Sequence, residues 1–241
     1  MSGHSKWATT KRQKGITDQK RGVIFTKLGN IISIASREGG GDPEKNFKLR
    51  LVIEKAKQAN MPKENIERAI KKGTGELGGA KIEEIIYEAF GPDGVGLIIE
   101  TLTDNKNRTV SNIKSILNKH GGSLSGVNSV LWMFKKYGVI RINKLEILNL
   151  EEFELKLIDL KVEDVEEEEE ELVIYIKLEE FQKIKEELEK QKIKIDYAEL
   201  EWVSKEKISS IADEKETKEK IKKILEELDD DLDVNNVFCQ F

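Results

Sequence analysis

Residue types able to do chemistry are few in this chain. It has two histidines, His4 and His120, and one cysteine, Cys239, so neither a Cys/His zinc site nor an intrachain disulfide can be assembled. His120 falls at the edge of an apolar helical stripe, in the last turn, where an imidazole pairs with free carbonyls and the helix dipole; it reads as structural. Cys239 sits in an apolar strand-like run and reads as a small core residue. The glycine-rich stretches 38–42 and 73–79 lack the Gly-Lys-Ser/Thr ending of a P-loop, and neither is a Gly-x-Gly-x-x-Gly following a strand. They are expected to be turns. The six consecutive glutamates 166–171 and the group Asp229, Asp230, Asp231 and Asp233 lack the spacing and glycine of an EF-hand, so both are expected to be solvated surface. No catalytic constellation, metal site, cofactor or small-molecule substrate is expected.

What remains is the distribution of charge. The 241 residues carry a net charge of −5, but residues 1–75 hold 12 Lys and 5 Arg against 7 acidic residues, a net of +10, which leaves −15 for the rest. A flexible cationic segment adjoining a basic folded one grips a polyanion by releasing counterions, which points to nucleic acid. Lys6, Lys11, Arg12, Lys14, Lys20 and Arg21 are the candidates to neutralise phosphates, and Lys27, Arg37, Lys71 and Lys72 extend the track. Trp7, among Lys6, Lys11 and Arg12, either stacks on an exposed base or docks on another domain. Lysine acts on phosphate as a point charge, whereas base-edge reading leans on bidentate arginine. With 12 Lys among 17 cations, recognition of backbone or shape is favoured over a sequence code. The acidic remainder would be repelled by a polyanion and is left for protein partners or basic surfaces.

These residues need elements to position them. Charged residues make up 36% of the chain, against about 25% in ordinary domains, which favours several small domains. Residues 1–22 are too polar to order themselves and read as a basic arm. Residues 23–76 read as a helical domain of three helices: about 23–37, then one opened by Asp42 as N-cap and Pro43 as first residue and running to about Ala59, then 63–72 with Gly73 as its C-terminal glycine. Two strands (82–90 and 95–103), a helix capped by Asp104 or Asn105 and running to His120, and a strand pair (129–135 and 139–142, turning at Tyr137-Gly138) make an α+β sandwich unit. A second unit follows as helix 148–160, strands 161–165 and 172–177 flanking the glutamate run, helix 179–190 and an extended segment 193–203. The helix from about 213 to 228 and a last strand, 235–241, are surplus to it, so the C-terminus is expected to return and complete the first unit. The expected division is 77–142 with 204–241 as one discontinuous α+β domain and 143–203 as an insertion. No apolar run approaches the roughly 18 residues of a membrane span. The N-terminus has no apolar signal core, and cytoplasmic residence fits the lone cysteine.

Read together, these segments strongly resemble the YebC/PmpR family. The likeness is carried by Gly3-His4-Ser5-Lys6-Trp7, Phe25-Thr26-Lys27-Leu28, Arg37-Glu38-Gly39-Gly40-Gly41-Asp42-Pro43, Ala59-Asn60-Met61-Pro62-Lys63, Asn65-Ile66-Glu67-Arg68-Ala69-Ile70, Gly73-Thr74-Gly75, Thr103-Asp104-Asn105-Lys106-Asn107-Arg108-Thr109 and Gly121-Gly122. It is strict to about Phe134 and looser beyond; the glutamate run is a departure. The resemblance implies a helical N-terminal domain and two ferredoxin-like α+β domains, the third inserted in the second. It also implies a non-enzymatic regulator of gene expression that binds DNA. An alternative from the same family is a ribosome-associated translation factor that binds ribosomal RNA or tRNA and relieves stalling on proline-rich stretches. A different class of reading makes the chain an adaptor whose acidic domains bind a basic protein.

Overall fold

A computed structural model describes residues 18–78, 81–206 and 215–240 of the protein. They fall into two compact units, one comprising 18–131 with 215–239 and the other 132–206 with residue 240.

The first unit opens with three helices, α1 (Asp18–Gly39), α2 (Phe47–Gln58) and α3 (Lys63–Gly73). Leu28, Ile32 and Ala35 of α1 meet Leu49, Ile53 and Ala56 of α2 and Ile66 and Ala69 of α3 in one core. Helix α1 begins at Asp18, inside the span read as a flexible arm; residues 1–17 lie outside the described residues.

The cap of α2 also differs from expectation. Asp42 closes a turn in which its carbonyl accepts from the backbone of Asn46 at 2.9 Å, and Asn46 is the N-cap. Its side chain accepts from the Leu49 amide at 3.1 Å while its amide nitrogen donates to the carbonyls of Ala35 and Gly40, each at 2.8 Å. One buried side chain thus satisfies orphan groups at the end of one helix and the start of the next. Gly73 is needed for another reason than a left-handed cap. A β-carbon there would stand 2.2 Å from the Ser33 carbonyl oxygen, so glycine is what lets α3 close on α1.

Beyond the bundle, β1 (Glu83–Phe90) and β2 (Gly96–Thr103) pair antiparallel across a turn at Pro92–Gly94. Helix α4 (Lys106–Lys119) and the short β3 (Ser123–Leu124) follow. After the second unit the chain returns through α7 (Lys215–Asp230) and β8 (Val234–Cys239), which pairs antiparallel with β2. The sheet order is β3-β1-β2-β8. Every residue of β2 is buried, as an inner strand between two partners requires. The bundle is tied to this sheet by the cluster Ile31, Ile34, Ile82 and Leu102.

The second unit runs β4 (Phe134–Asn143), α5 (Leu150–Asp159), β5 (Asp164–Glu167), β6 (Glu171–Ile176), α6 (Phe181–Lys190) and β7 (Tyr197–Ser204). Its order is β5-β6-β4-β7, with all pairs antiparallel, which is the ferredoxin-like arrangement. Ile140, Ile142, Leu172, Ile174 and Ile176 on one face of the sheet pack against Phe153, Leu157, Ile184 and Leu188 of the two helices.

The strand pair expected over 129–135 and 139–142 is one continuous strand, β4, and it belongs to this second sheet. Gly138, expected at a turn, lies mid-strand between Ile176 and Leu200, and glycine is needed there because the Phe181 ring covers it; a β-carbon would stand 2.1 Å from that ring. The glutamate run is also more structured than a solvated loop. It spans the β5–β6 hairpin, where buried Arg141 meets Glu171 at 3.1 Å and Glu168 at 3.6 Å, and the Tyr175 hydroxyl donates to Glu166 at 3.0 Å.

Candidate nucleic-acid interface

The sequence-derived site residues divide by where they lie. Lys6, Trp7, Lys11, Arg12 and Lys14 fall outside the described residues, and Lys20 is placed only as backbone within α1. Arg21 is exposed on the first turns of α1.

Lys27 is not part of an outward track. Its ammonium hydrogen-bonds the Asp229 carbonyl and lies 3.5 Å from the Asp229 carboxylate, so it ties α1 to the end of α7. Asp229 is correspondingly not solvated surface. Neither is Asp233, which accepts two hydrogen bonds from Arg108, at 2.7 and 3.0 Å, and one from the Thr109 hydroxyl at 2.8 Å. Asp104 takes the same guanidinium at 3.0 Å, and both carboxylates raise the Arg108 pKa. The stretch Thr103–Thr109 is therefore a brace. Asn105 caps α4 by accepting from the Arg108 amide at 3.1 Å, and Thr109 bonds Thr103 at 2.8 Å.

Arg37 donates to the Ile82 carbonyl at 2.6 Å, which brings it to the mouth of a cleft of about 190 Å³ lined by Ser33, Arg37, Lys72, Gly73, Gly75, Gly78, Lys81 and Ile82 among others. Three cations line it and, among the described residues, no carboxylate does. Lys72 and Lys81 are exposed and form no ion pair among the described residues. Lys71, in the same last turn, is exposed and does not line the cleft. Lys81 was missed from sequence because it stands alone after a glycine linker; only the fold sets it beside Arg37.

A larger cleft, of about 560 Å³, is its electrostatic opposite. Asp104, Asp230, Asp231 and Asp233 line it against Lys72 and Arg108, a balance unfavourable to phosphate. Among the described residues no group of three His, Cys, Asp or Glu side chains is placed to hold a metal ion, and no helix is long and apolar enough to cross a membrane. His120 ends α4 and pairs through Nε2 with Glu227 at 3.0 Å. Lys119 first and His120 second hold that carboxylate below the ordinary range.

One further carboxylate organises backbone. Glu88 of β1 is buried and accepts from the amides of Asn128 and Val130, each at 2.6 Å, and Leu131 at 2.7 Å. Burial raises its pKa, but these amide donors outweigh that and lower it below the usual value. Nothing in the local sequence marks Glu88 as the acceptor of these amides.

The fold and the cleft define a class: a basic three-helix module joined in one chain to two α+β sandwiches. Residues 5–76 match the model of the TACO1/YebC protein N-terminal domain, and residues 82–241 match that of the TACO1/YebC second and third domain. The chain belongs to the TACO1/YebC family. It is 49% identical to a protein of Thermoanaerobacter pseudethanolicus over 99% of this chain and 96% of that one, and 48% identical to one of Caldanaerobacter subterraneus over 99% and 97%. Both are named probable transcriptional regulatory proteins. A crystal structure of a conserved hypothetical protein from Aquifex aeolicus superposes with a TM-score of 0.82 at 42% identity, covering 93% of this chain and 91% of that one.

Proposed function

We propose that this protein is a non-enzymatic regulator of gene expression that acts in the cytoplasm and binds DNA through the phosphate backbone. The basic arm and the helical module supply the grip. The observation that carries the reading is that Arg37, Lys72 and Lys81 line one cleft to which no described carboxylate contributes, two of the three lying in the segment with the net positive charge. The family name of the relatives, transcriptional regulatory protein, supports the same reading. In this account Lys6, Lys11, Arg12, Lys14, Lys20 and Arg21 neutralise phosphates, Trp7 stacks on a base, and Lys71 extends the cleft's track. Replacing both Lys72 and Lys81 by Gln should reduce the salt slope of DNA binding by about 2, since each lost phosphate contact removes about 0.9. An unchanged slope would remove the cleft from the interface.

A second reading, RNA on a translating ribosome, is favoured by the excess of Lys over Arg in residues 1–75, 12 against 5, because point charges suit a folded backbone better than a base-edge code. Gradient sedimentation of lysate separates the two. Co-migration with ribosomes that survives DNase and is lost with RNase would replace DNA by RNA as the target, and the reverse pattern would retain DNA.

A further inference from the structure

Helix α5 carries two apolar faces, and only one is used. Phe153 and Leu157 are buried in the core of the second unit. Leu155 and Ile158, on the opposite side, are 63% and 66% exposed, and the segment leading into the helix adds Leu145 at 92% and Leu148 at 105%. Leu148 precedes the N-cap Asn149, the position from which an apolar residue ordinarily staples onto the fourth helical residue, here Phe153. It is instead fully turned out. Single exposed leucines need no explanation, but four large exposed aliphatics on a helix and the segment leading into it mark an interaction surface.

The charges around this face are one-sided. Glu151 and Asp159 stand one turn before and after Leu155, and Glu154 one turn before Ile158, so the apolar side chains alternate with carboxylates at i,i+4 spacing. Among the described residues these three carboxylates form no ion pair, while Lys156, the helix's one cation, is engaged by Glu152 at 2.9 Å. Uncompensated carboxylates at this spacing do not stabilise a helix on their own. They do repel phosphate, which excludes nucleic acid and anionic lipid as the occupant. In a twofold pairing of two copies, the same patch meets itself, so the carboxylates would face one another.

We infer that the outer face of α5 is a docking surface for a protein helix whose apolar stripe is flanked by lysine and arginine. Leu155 and Ile158 are its anchors, Leu148 extends the apolar contact, and Glu151, Glu154 and Asp159 are the charges that select a basic partner. This surface is independent of the basic module and is tested independently of nucleic-acid binding.

The probe is a synthetic three-heptad amphipathic helix with leucine on one face and lysine flanking it, compared with its glutamate-flanked twin by fluorescence anisotropy against the full chain. The lysine-flanked helix should bind, and the glutamate-flanked one should bind at least tenfold more weakly. The double variant Leu155→Ser with Ile158→Ser, which leaves every charge in place, should weaken the lysine-flanked helix at least tenfold without changing nucleic-acid affinity. The variant Glu151→Lys with Asp159→Lys should reverse the preference. Binding insensitive to the serine pair would show only diffuse attraction to an acidic protein and overturn the proposal. So would equal binding of the two helices, a loss of nucleic-acid affinity in the serine variant, or a concentration-dependent dimer in sedimentation velocity that the serine pair abolishes.

Discussion

At the residue scale, two side-chain positions show why local reading stops short of three-dimensional cause. Gly73 looked like a helix terminator, and sequence can suggest nothing else, because the Ser33 carbonyl that forbids a β-carbon lies 40 residues away in sequence. Gly73→Ala should force α3 off α1 and lower stability by about 1–3 kcal/mol, the usual cost of overpacking, measured by urea unfolding. Glu88 is the second. Replacing it by Gln removes a charge that satisfies three backbone amides, one of them buried, and should cost about 2–3 kcal/mol at neutral pH. The pH dependence has a fixed sign. The carboxylate's pKa is lowered on folding, so its contribution is fully present above the ordinary glutamate value and is lost as pH falls through the lower folded value. The gap in melting temperature between wild type and Glu88→Gln should therefore stay constant from pH 8 to about pH 5 and shrink below that, and a gap independent of acidity would show that the amides do not depend on the charge.

At the scale of elements, periodicity located the helices and most strands to within a few residues, since apolar spacing is written along the chain itself. It failed where a residue's role depends on a partner from elsewhere. Gly138 read as a turn because nothing local reveals that Phe181 covers it. The acidic stretches read as solvated because Arg141, Arg108 and Lys27, which meet them, are distant in sequence. Lys27 shows the functional side of this limit. It is a cation on the basic module, but its ammonium holds Asp229 and braces α1 against α7. Lys27→Met should accordingly lower stability by about 1–3 kcal/mol while leaving the salt slope of nucleic-acid binding unchanged, with calorimetry and anisotropy as the two readouts. A reduced slope with unaltered stability would return Lys27 to the binding track.

At the scale of the whole molecule, the modest net charge of −5 conceals a basic end and an acidic remainder. That separation was legible from composition, as was the return of the C-terminal strand to the first sheet, because the count of helices and strands left a surplus after the second unit. The cleft of Arg37, Lys72 and Lys81 was not, since it needs α1, α3 and the segment leading into β1 to be folded together. The division of labour between the ends leads to one measurement. The affinity of the full chain for duplex DNA should fall with salt at a log–log slope of about −7 if about eight phosphates are neutralised, six by the cations between Lys6 and Arg21 and two by Lys72 and Lys81, and at about −6 on single strands. Replacing Lys6, Lys11, Arg12 and Lys14 by Gln in the intact chain should bring the duplex slope to about −3.5. A slope near zero, or one those four substitutions leave in place, would contradict the account.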